Sequence, residues 1–286
     1  MNRRSFLASS AAAGAAVTAG TLITETPALA AAERRFQLGS VTYNLLKDMD
    51  LETCIKTLEK AGFAAIELRT GHKHGVEPTI SQEERAKVRE RFTQTKVKLL
   101  SYGSTCEFES PDEAVRRQNI ETAKKFVDLA KDTGAIAVKV RPNGLPKDVP
   151  LDTTVKNIST SLHEVGDYGQ SKGIEIWMEV HGPKTQEFPL ASRILHEANH
   201  KNVGACWNSN PTDVVDGSVK QAFDALGQFI RNCHITELTS TYPYKEFFGL
   251  LRDAGYSRYT LAEVAESREP DRFMPYYRKL WEQLSA

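Results

Sequence analysis

The chain has 286 residues with 37 basic and 37 acidic side chains, so its formal net charge is zero. That balance gives no sign of a face for a nucleic-acid backbone or of a polybasic membrane surface. With 26% charged and 40% hydrophobic residues, ordinary Gly and Pro usage and four Cys, the chain reads as a globular protein. It is not a collagenous, low-complexity or disulfide-stapled one.

The N-terminus opens Asn2-Arg3-Arg4-Ser5-Phe6-Leu7, continues rich in Ala, Gly and Thr, and reaches Pro27-Ala28-Leu29-Ala30. Paired arginines, a small-residue apolar stretch and an A-x-A site together predict a secretory signal over residues 1–30, of the twin-arginine type. Ser9, Ser10, Gly14, Thr18, Gly20 and Thr21 interrupt the run from Phe6 to Ile23, which makes it too polar for a stable membrane anchor. No Cys follows at the cleavage point, which argues against a lipoprotein. Removing the first 30 of 286 residues leaves 256, with 35 basic and 36 acidic groups, bound for the periplasm or beyond. Cys54, Cys106, Cys206 and Cys233 are scattered, and free, mostly buried thiols are expected.

From residue 31 onward strand and helix patterns alternate. The first strand is expected at Phe36–Thr42, and a helical stripe follows at Leu51, Ile55, Leu58 and Ala61. Gly62 closes that helix, and Ala64-Ala65-Ile66-Glu67-Leu68 reads as the next strand. Ser81-Gln82-Glu83-Glu84 is a capping box, and a strand is expected at Val97–Tyr102. Ser110-Pro111-Asp112-Glu113 reads as a second box with Pro in the first helical position, ahead of a stripe at Ile120, Ala123, Val127 and Ala130.

Gly134 precedes the strand Ala135–Val140. Gly173, after a stripe at Val155, Ile158, Leu162 and Val165, precedes Ile174–Val180. Further strands are expected at Val203–Trp207 and Ile230–Ile235. A helix carrying Tyr244, Phe247, Phe248, Leu251 and Ala254 then leads through Gly255 to Tyr259–Val264. Eight strands, each followed by a helix, in one linker-free stretch predict a single-domain (β/α)₈ barrel over 31–286. A doubly wound sheet is disfavoured, since Gly39-Ser40-Val41-Thr42-Tyr43 is no phosphate-binding loop.

Catalytic groups of such a barrel stand at the carboxyl ends of its strands. Four strand ends in the second half carry Glu179, Asn208, His234 and Glu263, spaced by 29, 26 and 29 residues, about one βα unit each. Neighbouring strands would deliver them to one rim. Strand alternation places Trp177, Glu179 and His181 on one side, and gives the inner face to Lys139 with Arg141 and to Glu67 with Arg69. Two carboxylates, an imidazole and an amide oxygen suit a divalent ion such as Mn²⁺, Mg²⁺, Co²⁺ or Zn²⁺. The ion would polarise a sugar carbonyl, while Glu179 and Glu263 serve as ligands and proton carriers.

The order Glu179, Asn208, His234, Glu263 on the last four strands resembles the xylose isomerase-like TIM barrel superfamily. Ala65-Ile66-Glu67-Leu68-Arg69, Trp177-Met178-Glu179-Val180-His181, Val203–Asn208, Asn232-Cys233-His234-Ile235 and Tyr259–Glu263 carry the resemblance. It implies a metal-dependent sugar isomerase, epimerase or dehydratase acting on a small carbohydrate, often as a dimer or tetramer. It extends to eliminases of 3-keto-glycosides. The superfamily usually has Asp where this chain has Asn208; Asp213, five residues on, could compensate.

Each candidate has a plainer reading. Glu179 and Glu263 could be salt-bridged to Lys139 or Arg141, His234 a core histidine, and Asn208 a structural amide. His181 is either a general base or an orienting partner. Lys139, Arg141 and Glu67 either bind substrate or balance charge. Trp177 and Trp207 either stack on a sugar at the inner rim or fill the barrel. His72 and His74 read as an exposed loop or lid rather than a metal pair. At the level of the whole chain, the alternatives are a non-catalytic carbohydrate-binding barrel and an abasic-site endonuclease. Seven His and a neutral balance disfavour the latter.

Overall fold

The computed structural model describes residues 34–286, so the expected signal segment lies outside the described residues. Eight parallel strands close into a barrel in sequence order. They are β1 (Gln37–Val41), β2 (Ala65–Arg69), β3 (Lys98–Glu107), β4 (Ala137–Arg141), β5 (Glu175–Glu179), β6 (Val203–Asn208), β7 (Ile230–Ile235) and β8 (Tyr259–Ala262). The helices around it are α1 (Leu51–Ala61), α2 (Gln82–Thr93), α3 (Glu113–Thr133), α4 (Leu151–Lys172), α5 (Phe188–Ala198), α6 (Lys220–Leu226), α7 (Tyr244–Asp253) and α8 (Pro270–Leu284). The (β/α)₈ barrel expected from the alternation is the observed fold. Among the described residues, no helix is long and apolar enough to cross a membrane.

The helix ends follow their local chemistry. Gly62, Gly134 and Gly173 take the left-handed conformation and bond back to the last turn of α1, α3 and α4. Ser81 and Glu84 form the expected reciprocal box on α2. The box expected at Ser110 does not form. Asp112 caps α3 by accepting from the Ala114 amide at 2.8 Å, so the helix starts at Glu113 and Pro111 stays outside it.

Two apolar layers hold the barrel. Outside, the stripes of the helices pack against the outward faces of the strands in one continuous core. Inside, Val41, Ala65, Leu100, Ala137, Trp177, Cys206 and Leu261 fill the lumen. Ala65 and Ala137 leave the room that the indole of Trp177 takes. Gly39 is forced by the same crowding, because a Cβ there would sit 2.5 Å from Leu261 Cδ2 and 2.7 Å from the Ala65 carbonyl oxygen. Below Trp177 the barrel is shut by Glu175, which accepts from the Trp177 indole at 2.7 Å and pairs with Arg258 at 2.5 Å. The polar space inside the barrel therefore opens only at the carboxyl ends of the strands. All four cysteines are buried free thiols, as expected.

Candidate active site and metal centre

Register fixes the rim. Glu179, the last residue of β5, pairs with Cys206. Asn208 at the end of β6 pairs with His234 on β7, and His234 pairs with Leu261 on β8. Glu263 stands one residue beyond β8, tied by its amide to the Ile235 carbonyl at 2.9 Å. Each inward position is thus one layer above the apolar plug. The four candidates reach the same end of the barrel, as their spacing predicted.

Glu179 Oε1 lies 3.2 Å and Glu263 Oε2 3.4 Å from the same imidazole atom, His234 Nδ1. The three ligating atoms all fall within 4.8 Å of one another. An ion bonded to each at about 2.1 Å needs neighbouring ligand atoms roughly 3.0–3.4 Å apart, so the set fits a small divalent cation. The polar atoms agree. Both ring nitrogens of His234 are buried with no hydrogen-bond partner among the described residues, and so is Glu67 Oε1. Unmet buried polar atoms are costly, and a cation would satisfy Nδ1 and its two carboxylates together.

Glu67 lies behind the imidazole. Its Oε1 is 3.4 Å from His234 Nε2, and its Oε2 accepts from Ser101 at 2.7 Å. That arrangement calls for a proton on Nε2 and turns the Nδ1 lone pair toward the two glutamates. Lys139 enters from β4 and donates to Glu179 Oε2 at 2.6 Å, leaving Oε1 for the ion. Burial works to raise the Glu179 carboxyl, but Lys139 and His234 outweigh it and hold it far below the usual carboxylate range. Burial likewise works to lower the Lys139 ammonium, and Glu179, Glu67 and Glu263 outweigh that and raise it. For His234, burial opposes the charged ring while Cys206, Glu263 and Glu67 drive it well above the ordinary value. Burial also pushes the Cys206 thiol up, against the pull of His234. A field that favours a proton on His234 favours a divalent cation in its place.

Above the cluster opens a cavity of about 380 Å³, large enough for a small ligand. Lys139, Arg141, Glu179, His181, Asn208 and Glu263 line it, as the sequence placed them. His181 Nδ1 faces Asn143 Oδ1 at 3.1 Å, and the Asn143 amide donates to Glu107 at 2.6 Å. Glu107 also pairs with Arg141 at 2.9 Å. A larger hollow of about 750 Å³ lies at the opposite end of the strands, around Glu59, Phe63 and Lys96, and holds none of the ligating residues.

Several expectations need correcting. Glu67 does not line the cavity; it is fully buried beneath His234. Trp207 is not at the inner rim. Cys206 and Asn208 take the inward positions of β6, so Trp207 points out between strand and helices. There it stacks on Phe247 at 4.8 Å and donates to the Tyr242 hydroxyl at 3.0 Å. Trp177 does point inward, but it lies in the apolar plug below the cavity. His72 and His74 are tied into the loop after β2. His72 Nδ1 is 2.8 Å from Thr42 Oγ1, and His74 is buried with Nε2 on the Arg69 carbonyl at 2.8 Å.

Asp213 does not compensate for Asn208. It is buried in the following turn, where it accepts from the Asn210 amide at 2.9 Å and the Tyr242 hydroxyl at 3.1 Å. Burial pushes its carboxyl up to about 7, against the pull of those two donors. The native state therefore holds more protons than the unfolded chain between about pH 4 and 7, and stability falls as pH rises through that window. Asp213→Asn is expected to flatten that slope and to stabilise the protein by up to about 4 kcal/mol at pH 8, with little change at pH 4. Urea unfolding at the two pH values measures it.

Arg69 reaches the cavity wall from the inner face of β2, where its shared parity with Glu67 placed it without a role. Sequence reasoning missed Tyr43, Gln186, Ser209, Asn210 and Thr236 in the same wall. These stand at or past strand ends, in turns that periodicity does not describe.

A sequence profile described as xylose isomerase-like TIM barrel matches residues 55–278. The chain belongs to that family. No curated protein matches it by sequence. Among solved structures, its fold is similar to the IolI protein with a bound zinc atom, at 18% identity and a TM-score of 0.72, covering 87% of this chain and 96% of that one. It is also similar to D-psicose 3-epimerase with D-tagatose from Clostridium cellulolyticum H10, at 14% identity and a TM-score of 0.75, covering 87% and 99%. A third is apo 3-keto-D-glucoside 4-epimerase YcjR from E. coli, at 14% identity and a TM-score of 0.71, covering 87% and 98%. At such identities the likeness establishes the barrel, and the chemistry has to be argued from the residues of this site.

Proposed function

We propose that this xylose isomerase-like barrel is a divalent-metal-dependent enzyme that moves a proton next to a carbonyl of a carbohydrate. The reaction class is isomerisation, epimerisation, or elimination from a keto-sugar or 3-keto-glycoside. The convergence of Glu179 Oε1, His234 Nδ1 and Glu263 Oε2 on one point at the cavity floor carries this reading. The epimerases among its structural neighbours support it.

A divalent cation held by Glu179, His234 and Glu263, with the Asn208 amide as a further donor, would polarise the carbonyl and acidify the adjacent C–H. The protein supplies the rest. Glu179 and Glu263 come from non-adjacent strands and flank His234, so each presents carboxylate oxygen to substrate above it. Lys139 keeps Glu179 ionised, the form in which Oε1 can ligate the cation. Glu67 holds the His234 ring in one orientation. His181, oriented by Asn143, and Arg141, held by Glu107, face the substrate volume and can bind its hydroxyls.

The paired Arg3-Arg4 and the A-x-A site support export of this chemistry from the cytoplasm, with removal of residues 1–30. Free sugars and glycosides, rather than sugar phosphates, are the substrates of that compartment. The test is incubation of Mn²⁺- or Zn²⁺-loaded protein with keto-sugars, ketoses and aldoses in deuterium oxide. One deuterium at the carbon next to the carbonyl is expected. No exchange and no product across the whole panel sinks the proposal.

A further inference from the structure

Three cationic side chains line the cavity wall, and two are neutralised inside the protein. Lys139 is matched by Glu179 at 2.6 Å and Arg141 by Glu107 at 2.9 Å. Arg69, the last residue of β2, is different. Among the described residues its guanidinium makes one hydrogen bond, to the Thr70 carbonyl at 3.0 Å, and no carboxylate lies within ion-pair distance. It sits over the Tyr43 ring at 5.2 Å, and His72 stacks on that ring at 6.1 Å. Thr42 Oγ1 accepts from the Arg69 backbone amide at 3.0 Å and meets His72 Nδ1 at 2.8 Å. The platform under Arg69 is therefore braced, while most of the five N–H donors of the guanidinium remain open to the cavity.

Charge counting agrees, and here it rests on the metal-dependent reading above. Glu67, Glu179 and Glu263 are balanced by Lys139 and one divalent ion when His234 is neutral. Arg141 and Glu107 cancel. Arg69 is left over. We propose that Arg69 binds a carboxylate of the substrate, which makes the substrate a sugar acid, such as a uronate or its keto derivative, rather than a neutral sugar. A planar fork against a planar carboxylate gives two parallel charge-assisted bonds. A phosphate would bring more charge and a third oxygen, and among the described residues no second unpaired cation lines the cavity to meet it.

The test is calorimetric titration of the full chain with D-glucuronate and D-galacturonate, their neutral parents D-glucose and D-galactose, and glucose 6-phosphate. The uronates are expected to bind about 10- to 100-fold more tightly than the neutral sugars, the range of hydrogen bonds to a charged group. Arg69→Gln should erase that preference while changing neutral-sugar affinity far less, and an unchanged circular dichroism spectrum and unfolding midpoint show that the variant is folded. Arg69→Lys, which keeps the charge without the fork, should retain part of it. Equal binding of acids and neutral sugars, a uronate preference that survives Arg69→Gln, or tighter binding of the phosphate each overturns the proposal. Binding needs no turnover, so this result stands apart from the proton-exchange assay. Exchange on neutral keto-sugars with none on the keto derivatives of the uronates would remove the sugar-acid class and leave the reaction class intact.

Discussion

Glu179→Gln and Glu263→Gln are each expected to lower proton exchange by at least about 10³-fold, with the protein still folded. Both glutamates combine two duties in the proposed reaction, so one substitution removes a metal ligand and a proton carrier together; general acid–base groups alone are worth about 10²–10⁴. The two variants should separate in metal content. Glu179 is bound on both oxygens, by Lys139 on Oε2 and by the His234 cluster on Oε1. It also lies deeper, with 4% side-chain exposure against 19% for Glu263. Glu179→Gln should therefore abolish stoichiometric metal in elemental analysis. Glu263→Gln should retain a weakly held ion and lose exchange. Exchange rates within tenfold of the parent in both variants would assign the chemistry to other groups.

The barrel was legible because its signals are local and repeated. Short apolar strands recur eight times, helix stripes and closing glycines four times each, and any single misjudged boundary leaves the order intact. The Ser110 box shows the limit. Asp112 offers a shorter carboxylate cap two residues later, and the helix starts there, which pattern alone does not decide. At the site, inward parity on β4 and β5 correctly placed Lys139, Arg141, Glu179 and His181. The same rule applied to β6 would have excluded Trp207, since it has the opposite parity to Asn208.

Depth was harder to read than direction. Glu67 points inward as expected, yet the stagger of the closed sheet sets it under His234 rather than against substrate. Gly103 on β3 belongs to the same layer; a Cβ there would come 2.8 Å from Glu67 Oε1. Stagger is a property of ring closure, and no window of sequence contains it. Asp213 fails for another reason. A carboxylate three residues after Asn210 could turn to the cavity or cap its own turn, and the local bond to the Asn210 amide wins.

Lys139→Met is expected to destabilise the metal-free protein by about 3–5 kcal/mol, the usual cost of removing one partner from a buried ion pair. The side chains of Lys139 and Glu179 are 7% and 4% exposed, so water screens neither. Lys139 also faces three clustered carboxylates, Glu179, Glu67 and Glu263. Methionine fills the lysine stem but leaves Glu179 Oε2 without its donor and all three negative charges without a fixed counterion. A divalent cation offers a replacement at the same place. Saturating Mn²⁺ or Zn²⁺ should therefore raise the unfolding midpoint of Lys139→Met more than that of the parent, because binding that is selective for the folded state adds stability by mass action. Urea unfolding of both proteins, with chelator and with metal, gives the four midpoints needed. A variant as stable as the parent in chelator would mean that desolvating the pair costs as much as the pair returns. Equal metal-induced shifts in the two proteins would mean that the ion does not reach Glu179, and the shared-ligand geometry at the cavity floor would have to be abandoned.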